Sequence, residues 1–423
     1  MKILFISENY PPYVEGGAEI STSLLAGWLV RQGHDVTVAC CKFNDKSWIE
    51  GGATVYPIIR RASLGSKDFV SAIKYALDIV ITPITSSVRV LQLIRKTSPD
   101  VVNIVVTVYH FIPIIFFIKL FSRRPIFVDC RDYSLICPVQ FKNNEVNDPL
   151  RTDHGYRCLS RGYEISNRFM LLFAKIFAIY ESFVFNSYKS GLRWLLNHSK
   201  KITLVANSEY VRKQLTLNGF PKDKIAFIYN ISQSTEVSKT DLAKSTTPTF
   251  TYGGRIEKEK GVWDLITAAE LLHTQSKKPF SLKIAGIGSE LGGVRKYVEK
   301  NELNYISVLG LIPRDKLLAL YQQSLAIIAP SCWPEPFGRF ILEARSVGKP
   351  VISTRTGGTQ EGVIDGVTGK LVDFGNIEQL KMAMQYFIEN PEQSSIMGSE
   401  MKNGQRDFDA DVIGNKRLEL YKK

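Results

Sequence analysis

The sequence predicts an α/β protein made of two doubly wound parallel-sheet domains that face each other across a cleft. At 423 residues the chain is longer than one hydrophobic core ordinarily serves. Short β-branched runs recur with helical segments between them, which is the pattern of a parallel sheet covered on both faces. A polar stretch rich in Ser and Thr, SQSTEVSKTDLAKSTTP, ends at Pro248 and separates these runs into two series.

The first series is KILFIS at 2, DVTVACC at 35, TVYPII at 54, DVVNIVV at 100, PIFVD at 125, KITLVA at 201 and KIAFIY at 224. It defines an N-terminal Rossmann-like domain over residues 1–235. Met1 and Lys2 lead straight into ILFIS, too short for a signal-peptide core and without a small-residue cleavage site, so the run reads as a first strand. From about 139 to 200 the alternation breaks. This reads as an insertion, helical and aromatic-rich near 165–196, that packs on the core, covers a ligand site or lies on a membrane. The second series, TFTYGG at 249, SLKIAG at 281, YISVLG at 305, LAIIAP at 325, PVISTR at 350 and KLVD at 370, defines a more compact Rossmann-like domain over 248–405. Ligands of open α/β sheets bind beyond the carboxyl ends of the strands, so the strand-to-helix loops are where chemistry is expected.

Lys and Arg number 54 against 41 Asp and Glu, a formal charge of +13 that predicts attraction to polyanions. No zinc-finger spacing, basic zipper or aromatic ribonucleoprotein motif is present, which leaves an anionic membrane or a phosphorylated small molecule ahead of nucleic acid. The cysteines, Cys40, Cys41, Cys130, Cys137, Cys158 and Cys332, form no CxxC pair and read as core thiols of a reduced, cytoplasmic compartment. Cys137 and Cys158 could clasp a loop, but two ligands without a His pair do not make a metal site. The apolar runs Phe111 to Leu120 and Phe169 to Tyr180 carry Lys119 and Lys175 and fall short of a membrane span.

The most informative stretch is Pro334-Glu335-Pro336-Phe337-Gly338-Arg339-Phe340-Ile341-Leu342-Glu343. With Pro336 at a first helical position, Glu335 lies just ahead of a helix and Glu343 about two turns inside it. That separates the carboxylates by roughly 12 Å along the axis, more than the roughly 5 to 9.5 Å of a glycosidase pair. Helix-start N–H groups between two carboxylates suit a ligand with hydroxyls at both ends and anionic charge between, as in a nucleotide sugar. Glu335 would then accept from sugar hydroxyls and Glu343 from ribose. An ordinary N-terminal Glu plus a surface Glu explains the spacing equally well.

Two further loops support the ligand reading. Tyr252-Gly253-Gly254-Arg255-Ile256-Glu257-Lys258-Glu259-Lys260-Gly261 follows the opening strand of the second series. There Arg255 offers a planar fork to a diphosphate and Lys260 a point charge, with Glu257 and Lys258 expected to be merely solvated. Early in the chain, Glu15-Gly16-Gly17-Ala18-Glu19 opens a helix and would bring the backbone N–H groups of Gly16 and Gly17 near a phosphate or sugar. The turns Thr356-Gly357-Gly358-Thr359 and Gly362 to Gly369 are expected to pack beside Glu343.

Taken together, EPFG with a second Glu eight positions on, GGR with a Lys five after its Arg, the GGAE loop, Ala206-Asn207-Ser208-Glu209 and TGGTQEGVIDGVTGKLV resemble the family 4 glycosyltransferases of the GT-B fold. The resemblance covers nearly the whole chain outside 139–200. It implies a retaining transfer from a nucleotide diphosphate sugar, with no metal and no cofactor, to a glycan or lipid-linked acceptor in cell-surface polysaccharide or glycolipid synthesis. Arg255 and Lys260 would hold the leaving diphosphate, and Glu335, Pro336, Phe337, Gly338 and Glu343 would complete the donor site. A last helix, about 408–423, would return to the first domain.

One position departs from the family pattern. Where relatives commonly carry His-Asp-Tyr-Trp-Leu-x-Cys-Pro, this chain has Arg131-Asp132-Tyr133-Ser134-Leu135-Ile136-Cys137-Pro138. Asp132 remains to orient an acceptor, but Arg131 cannot serve as a base at neutral pH. An active transferase and a catalytically silent donor-binding or scaffolding protein therefore both stay open. His110 could substitute for the imidazole or be a packing residue, and Asp407-Phe408-Asp409 reads as acids at a helix start, not as a metal-binding DxD. A Rossmann oxidoreductase is set aside, because KILFIS is not followed by GxGxxG. Peripheral contact with an anionic membrane and an amphipathic helix buried on its own domain both fit the charge and the aromatic stretch from Phe169 to Phe185.

Overall fold

A computed structural model of the chain describes residues 1–14, 16–41, 46–59, 69–106, 111–137, 168–232, 247–276, 278–404 and 406–423. Glu15, His110, Cys158, residues 139–167 of the insertion and residues 233–246 of the linker lie outside that set. Two units are present, Met1–Ile231 with Ile413–Lys423, and Ser232–Val412.

In the first unit the chain runs β1 (Lys2–Ile6), α1 (Gly17–Arg31), β2 (Asp35–Cys41), β3 (Trp48–Glu50), β4 (Ala53–Ile59), α2 (Phe69–Thr97), β5 (Val101–Val106), α3 (Ile112–Phe121), β6 (Ile126–Cys130), α4 (Arg168–His198), β7 (Ile202–Ala206), α5 (Glu209–Leu217) and β8 (Ile225–Phe227). The eight-stranded sheet has the order β3-β4-β2-β1-β5-β6-β7-β8. Every apolar run of the first series forms a strand, and β1 and β6 are buried almost throughout, because helices cover both faces. The sheet gains one strand beyond that series, β3. It is three residues long and pairs antiparallel with β4 across Gly51-Gly52, too short to show an alternation of its own. Helix α4 covers the described part of the insertion and packs against α3 and α2.

The second unit runs β9 (Thr249–Gly253), α6 (Val262–Gln275), β10 (Ser281–Ala285), α7 (Leu291–Lys300), β11 (Ile306–Gly310), α8 (Arg314–Gln323), β12 (Ala326–Ala329), α9 (Arg339–Val347), β13 (Val351–Thr354), α10 (Thr359–Gly362), β14 (Gly369–Val372), α11 (Ile377–Glu389) and α12 (Glu392–Asn403). Its sheet is wholly parallel, in the order β11-β10-β9-β12-β13-β14. Phe250, Leu282, Ile284, Ile328 and Ile352 from the strands meet Leu265, Leu272, Met384 and Phe387 from the helices in one core. The chain leaves β9 for β10 on one side and reaches β12 on the other. The topological switch point therefore lies between β9 and β12, where an open parallel sheet offers a crevice beyond its carboxyl ends.

The final helix, α13 (Ala410–Lys422), belongs from Ile413 onward to the first unit, where Arg417 and Tyr421 are buried. Among the described residues no helix is long and apolar enough to cross a membrane.

Candidate active site

The loops that leave β9 and β12 are stitched to each other at the switch point. The Glu259 carbonyl accepts the backbone N–H of Cys332 at 2.9 Å and of Trp333 at 3.0 Å, and the Ser331 hydroxyl at 3.3 Å. Gly261 has φ +71°, and a Cβ there would come within 1.9 Å of the Pro330 carbonyl oxygen, so only glycine lets the loops close up. The loop after β13 joins from the far side. Gly357, at φ +57°, would set a Cβ 2.2 Å from the Glu335 carbonyl oxygen, which accepts the Gly358 N–H at 2.7 Å. The TGGT turn thus packs on the Glu335 backbone, a contact of which the sequence bears no sign.

With its backbone fixed by both neighbours, Glu335 receives the Lys260 ammonium, Nζ to Oε1 2.6 Å, with each side chain 13% exposed. The same ammonium sits 4.2 Å from the centroid of the Trp333 ring, which fixes its height and supplies a cation–π contact. One of its three N–H donors goes to Glu335, which leaves donors for a second anion. Trp333 escaped the sequence reading, because a single aromatic beside a Pro-rich loop carries no spacing signal. Arg255 stands farther out, 40% exposed and 4.0 Å from the Glu259 carboxylate, and its carbonyl accepts the Tyr252 hydroxyl at 2.5 Å. Glu257 is not merely solvated. Its carboxylate accepts the Ser289 N–H at 3.2 Å and the Ser289 hydroxyl, and so pins the loop after β9 to the loop after β10.

The helix after Pro334 starts later than the proline suggested. Gly338, with φ +70°, is the N-cap and Arg339 opens α9, so Glu335 and Pro336 stand in the loop and the axial estimate of roughly 12 Å does not apply. Pro336 and Phe337 are buried. Phe337 packs 5.3 Å from the Phe408 ring as a core residue and presents no surface to a ligand. Glu343 lies on the second turn of α9, against Arg339 at 3.4 Å and Arg314 at 3.7 Å. The Arg339–Glu343 pair has i,i+4 spacing and was readable in the sequence, whereas Arg314 comes from α8. Asp409 of the DFD triplet pairs with Arg345 at 2.6 Å. Among the described residues, no three His, Cys, Asp or Glu side chains are grouped as a metal would require. The Cys332 thiol, half-buried and facing Asp264 at 3.6 Å, is pushed up to about 12 by burial and then by that carboxylate, which leaves little thiolate at neutral pH.

In the first unit, Gly16 is the N-cap of α1 and its N–H already donates to the Glu19 carboxylate at 2.9 Å. Of the Gly pair, Gly17 is the one whose N–H has no partner among the described residues. Asp132 Oδ1 accepts the Ser134 N–H at 2.8 Å and the Ser134 hydroxyl at 2.6 Å, which fixes its carboxylate at the end of β6. Arg131 is buried. Its Nη1 donates to the Ala18 carbonyl at 2.6 Å and to the Thr22 hydroxyl at 2.9 Å, and its Nη2 to Asp129 Oδ2 at 2.9 Å. It occupies the family's His position in sequence, but its guanidinium is spent inside the unit. Burial would raise the Asp129 carboxyl, yet Arg417 and Arg131 hold it below the ordinary carboxylate range.

Comparison with known proteins agrees with this architecture. Residues 233–404 match the family model "Glycosyl transferases group 1". The chain spans about half the length of the first curated relatives it matches: an uncharacterized glycosyltransferase of Methanocaldococcus jannaschii is 30% identical over 217 residues, 51% of this chain and 57% of that protein. An uncharacterized 42.6 kDa protein in the cps region of Klebsiella pneumoniae is 26% identical over 385 residues, 85% of this chain and 87% of that protein. Among solved structures, Anabaena HepE in complex with UDP and glucose has a TM-score of 0.67 at 18% identity, covering 100% of this chain and 99% of that one. The expected fold class is borne out: residues 233–404 match the glycosyl transferases group 1 family, and the two doubly wound units have the fold of the GT-B glycosyltransferases.

Proposed function

We propose that the chain is a retaining, metal-independent glycosyltransferase that moves a hexose from a nucleotide diphosphate sugar to a glycan or lipid-linked acceptor. The observation that carries the reading is the meeting of Lys260, Glu335 and Trp333 at the switch point of the second unit. A diphosphate entering there takes the remaining Lys260 donors and the exposed Arg255 fork, and these cations stabilise the charge that develops as the nucleotide leaves. Glu335 turns to the sugar hydroxyls. Glu343, held by two guanidiniums, accepts from ribose. In the first unit, Gly17 supplies a backbone N–H and Asp132 orients the acceptor hydroxyl. The Anabaena relative was solved with UDP and glucose, and a cps-region relative suits a role in cell-surface polysaccharide synthesis.

Since Arg131 is engaged by Ala18, Thr22 and Asp129, the imidazole of the family pattern has no counterpart at this position, which favours a catalytically silent donor-binding protein. Incubating the chain with labelled nucleotide sugars, with and without acceptor extract, separates the two. Transfer or donor hydrolysis supports the enzyme, and binding without turnover supports the silent protein.

The proposal places the enzyme in the cytoplasm, peripheral on an anionic membrane. On α2, Leu77, Ile81, Ile84 and Val88 follow helical spacing and are all exposed. Lys74 and Arg95 are exposed at either end of that stripe, and α4 adds exposed Lys175, Ile179, Phe183 and Trp194. An apolar stripe ended by cations suits a bilayer with anionic headgroups. The opposite side of α4, with Ala178, Phe185 and Leu192, is buried on its own unit.

A further inference from the structure

We infer that Arg131 is a positioning residue through which the C-terminal helix α13 holds the first turn of α1. Asp129, at the end of β6, is 1% exposed and has both oxygens occupied. Oδ1 accepts Arg417 Nη1 from α13 at 2.6 Å, and Oδ2 accepts Arg131 Nη2 at 2.9 Å. The other terminal nitrogen of Arg131 donates to the Ala18 carbonyl at 2.6 Å and to the Thr22 hydroxyl at 2.9 Å. Thr22 in turn donates to the same carbonyl at 2.8 Å.

A guanidinium is planar and rigid, so fixing one of its nitrogens fixes the direction of the other. The carboxylate between the two arginines is equally planar. Arg417, Asp129, Arg131 and Ala18 thus form a buried series of charge-assisted bonds, in which displacing one end misaligns the next. Lysine would lack the second fork and histidine the reach, which gives a physical reason for arginine at position 131. Elsewhere α13 is held by the Tyr421 hydroxyl on Asn103 Oδ1 at 2.7 Å and by the Tyr421 ring 4.9 Å from Phe127. It also touches α1 directly where Gly414 lies against Trp28, nearly three turns beyond Ala18. Packing alone would transmit motion to the Trp28 turn, whereas the Asp129–Arg131 series transmits it to the turn that carries Gly16 and Gly17.

The kinetic side of this inference rests on the proposal that the Gly16-Gly17 turn contacts the donor, whereas the coupling itself does not. Hydrogen exchange on the full chain, followed at the amides of residues 21–24 and of 410–422, tests the coupling. Arg417→Gln should speed exchange at 21–24 by about tenfold, since members of one buried network are energetically coupled. The same substitution in an Arg131→Met background should add nothing there, and Arg417→Lys should recover part of the protection. Opening confined to 410–422, or an equal increment without Arg131, overturns the inference. Should Arg417→Gln prevent folding, Tyr421→Phe loosens α13 more gently. It should speed exchange at 21–24 by about twofold only when Arg131 is present, and no change there overturns the inference too. In parallel, KM and kcat are measured for whichever of UDP-, GDP- and ADP-glucose is turned over. Coupled exchange with a raised donor KM and a retained kcat supports both claims. Coupled exchange with an unchanged KM upholds the positioning role and removes the Gly16-Gly17 turn from the donor site.

Discussion

Lys260 and Glu335 meet at 2.6 Å although they stand on loops that leave two different strands, and each neutralises the other in a setting only 13% exposed. Neither loop could hold its residue there alone. Gly261 lets the first approach the Pro330 carbonyl, and Gly357 lets the third loop grip the Glu335 backbone. The pair is therefore a property of the switch point.

Lys260→Ala and Glu335→Ala should each lower transfer by about a hundredfold or more, the scale of losing one transition-state charge contact. Each should also destabilise the second unit by about 1–3 kcal/mol, because the partner is left half-buried and unpaired. The double variant should be more stable than either single one. Steady-state kinetics and thermal melts check this, and near-normal turnover in either single variant contradicts the assignment.

Asp129 should dominate the acid limb of stability. Its folded pKa lies below the unfolded value, so the stability it contributes is present above the ordinary carboxylate range and is lost as pH falls through the folded value. Asp129→Asn leaves Arg131 and Arg417 buried without their anion and should cost about 3–5 kcal/mol near neutral pH. Urea melts between about pH 3 and pH 7 should show the gap between wild type and variant closing at the acid end. A gap independent of pH would contradict this.

Much of the fold could be read because parallel sheets write their strands as unbroken β-branched runs, and both series were visible that way. The EPFG, GGR and GGAE loops stood out because each follows such a run. What could not be read was contact between loops. Nothing in the sequence says that the Gly357 turn lands on Glu335, that Trp333 lies under Lys260, or that Arg314 reaches Glu343 from another helix. The helix starts later than Pro336 predicts, because Pro336 is a strong local signal that Gly338, with its positive φ, overrides. Arg131 looked like a damaged catalytic position because its partners, Ala18, Asp129 and the Asp129-bound Arg417, lie far away in the chain or beneath it in the sheet.

Lys189 is buried on α4, with its ammonium 3.1 Å from the Asn218 side-chain oxygen. Burial, and then Arg193, pull it down to about 8, against a weaker opposing effect from Cys137. Below that pH the folded chain carries a poorly solvated cation. Between about 8 and its ordinary value near 10.4 the unfolded chain binds the extra proton, so stability from this group rises with pH. Lys189→Met should be more stable than wild type by about 2 kcal/mol near neutral pH, with the advantage shrinking through that window. A less stable variant with an unchanged pH slope would contradict the reading.

Membrane contact is checked by co-sedimentation with phosphatidylglycerol-rich vesicles at moderate salt. The wild type should pellet with the vesicles. Ile81→Ser combined with Phe183→Ser should reduce the bound fraction by about fivefold or more, since both remove exposed apolar area from the stripe. Full recovery of the wild type in the supernatant would exclude the contact.

The most direct test of the central claim is a thermal-shift titration of the wild type and of Lys260→Ala with UDP-, GDP- and ADP-glucose. A ligand that binds only the folded chain raises its melting point with concentration. At least one of the three should stabilise the wild type, and the same compound should fail to stabilise Lys260→Ala at equal concentration. No shift with any of them, or an equal shift in the variant, would contradict a diphosphate site built on Lys260 and Glu335.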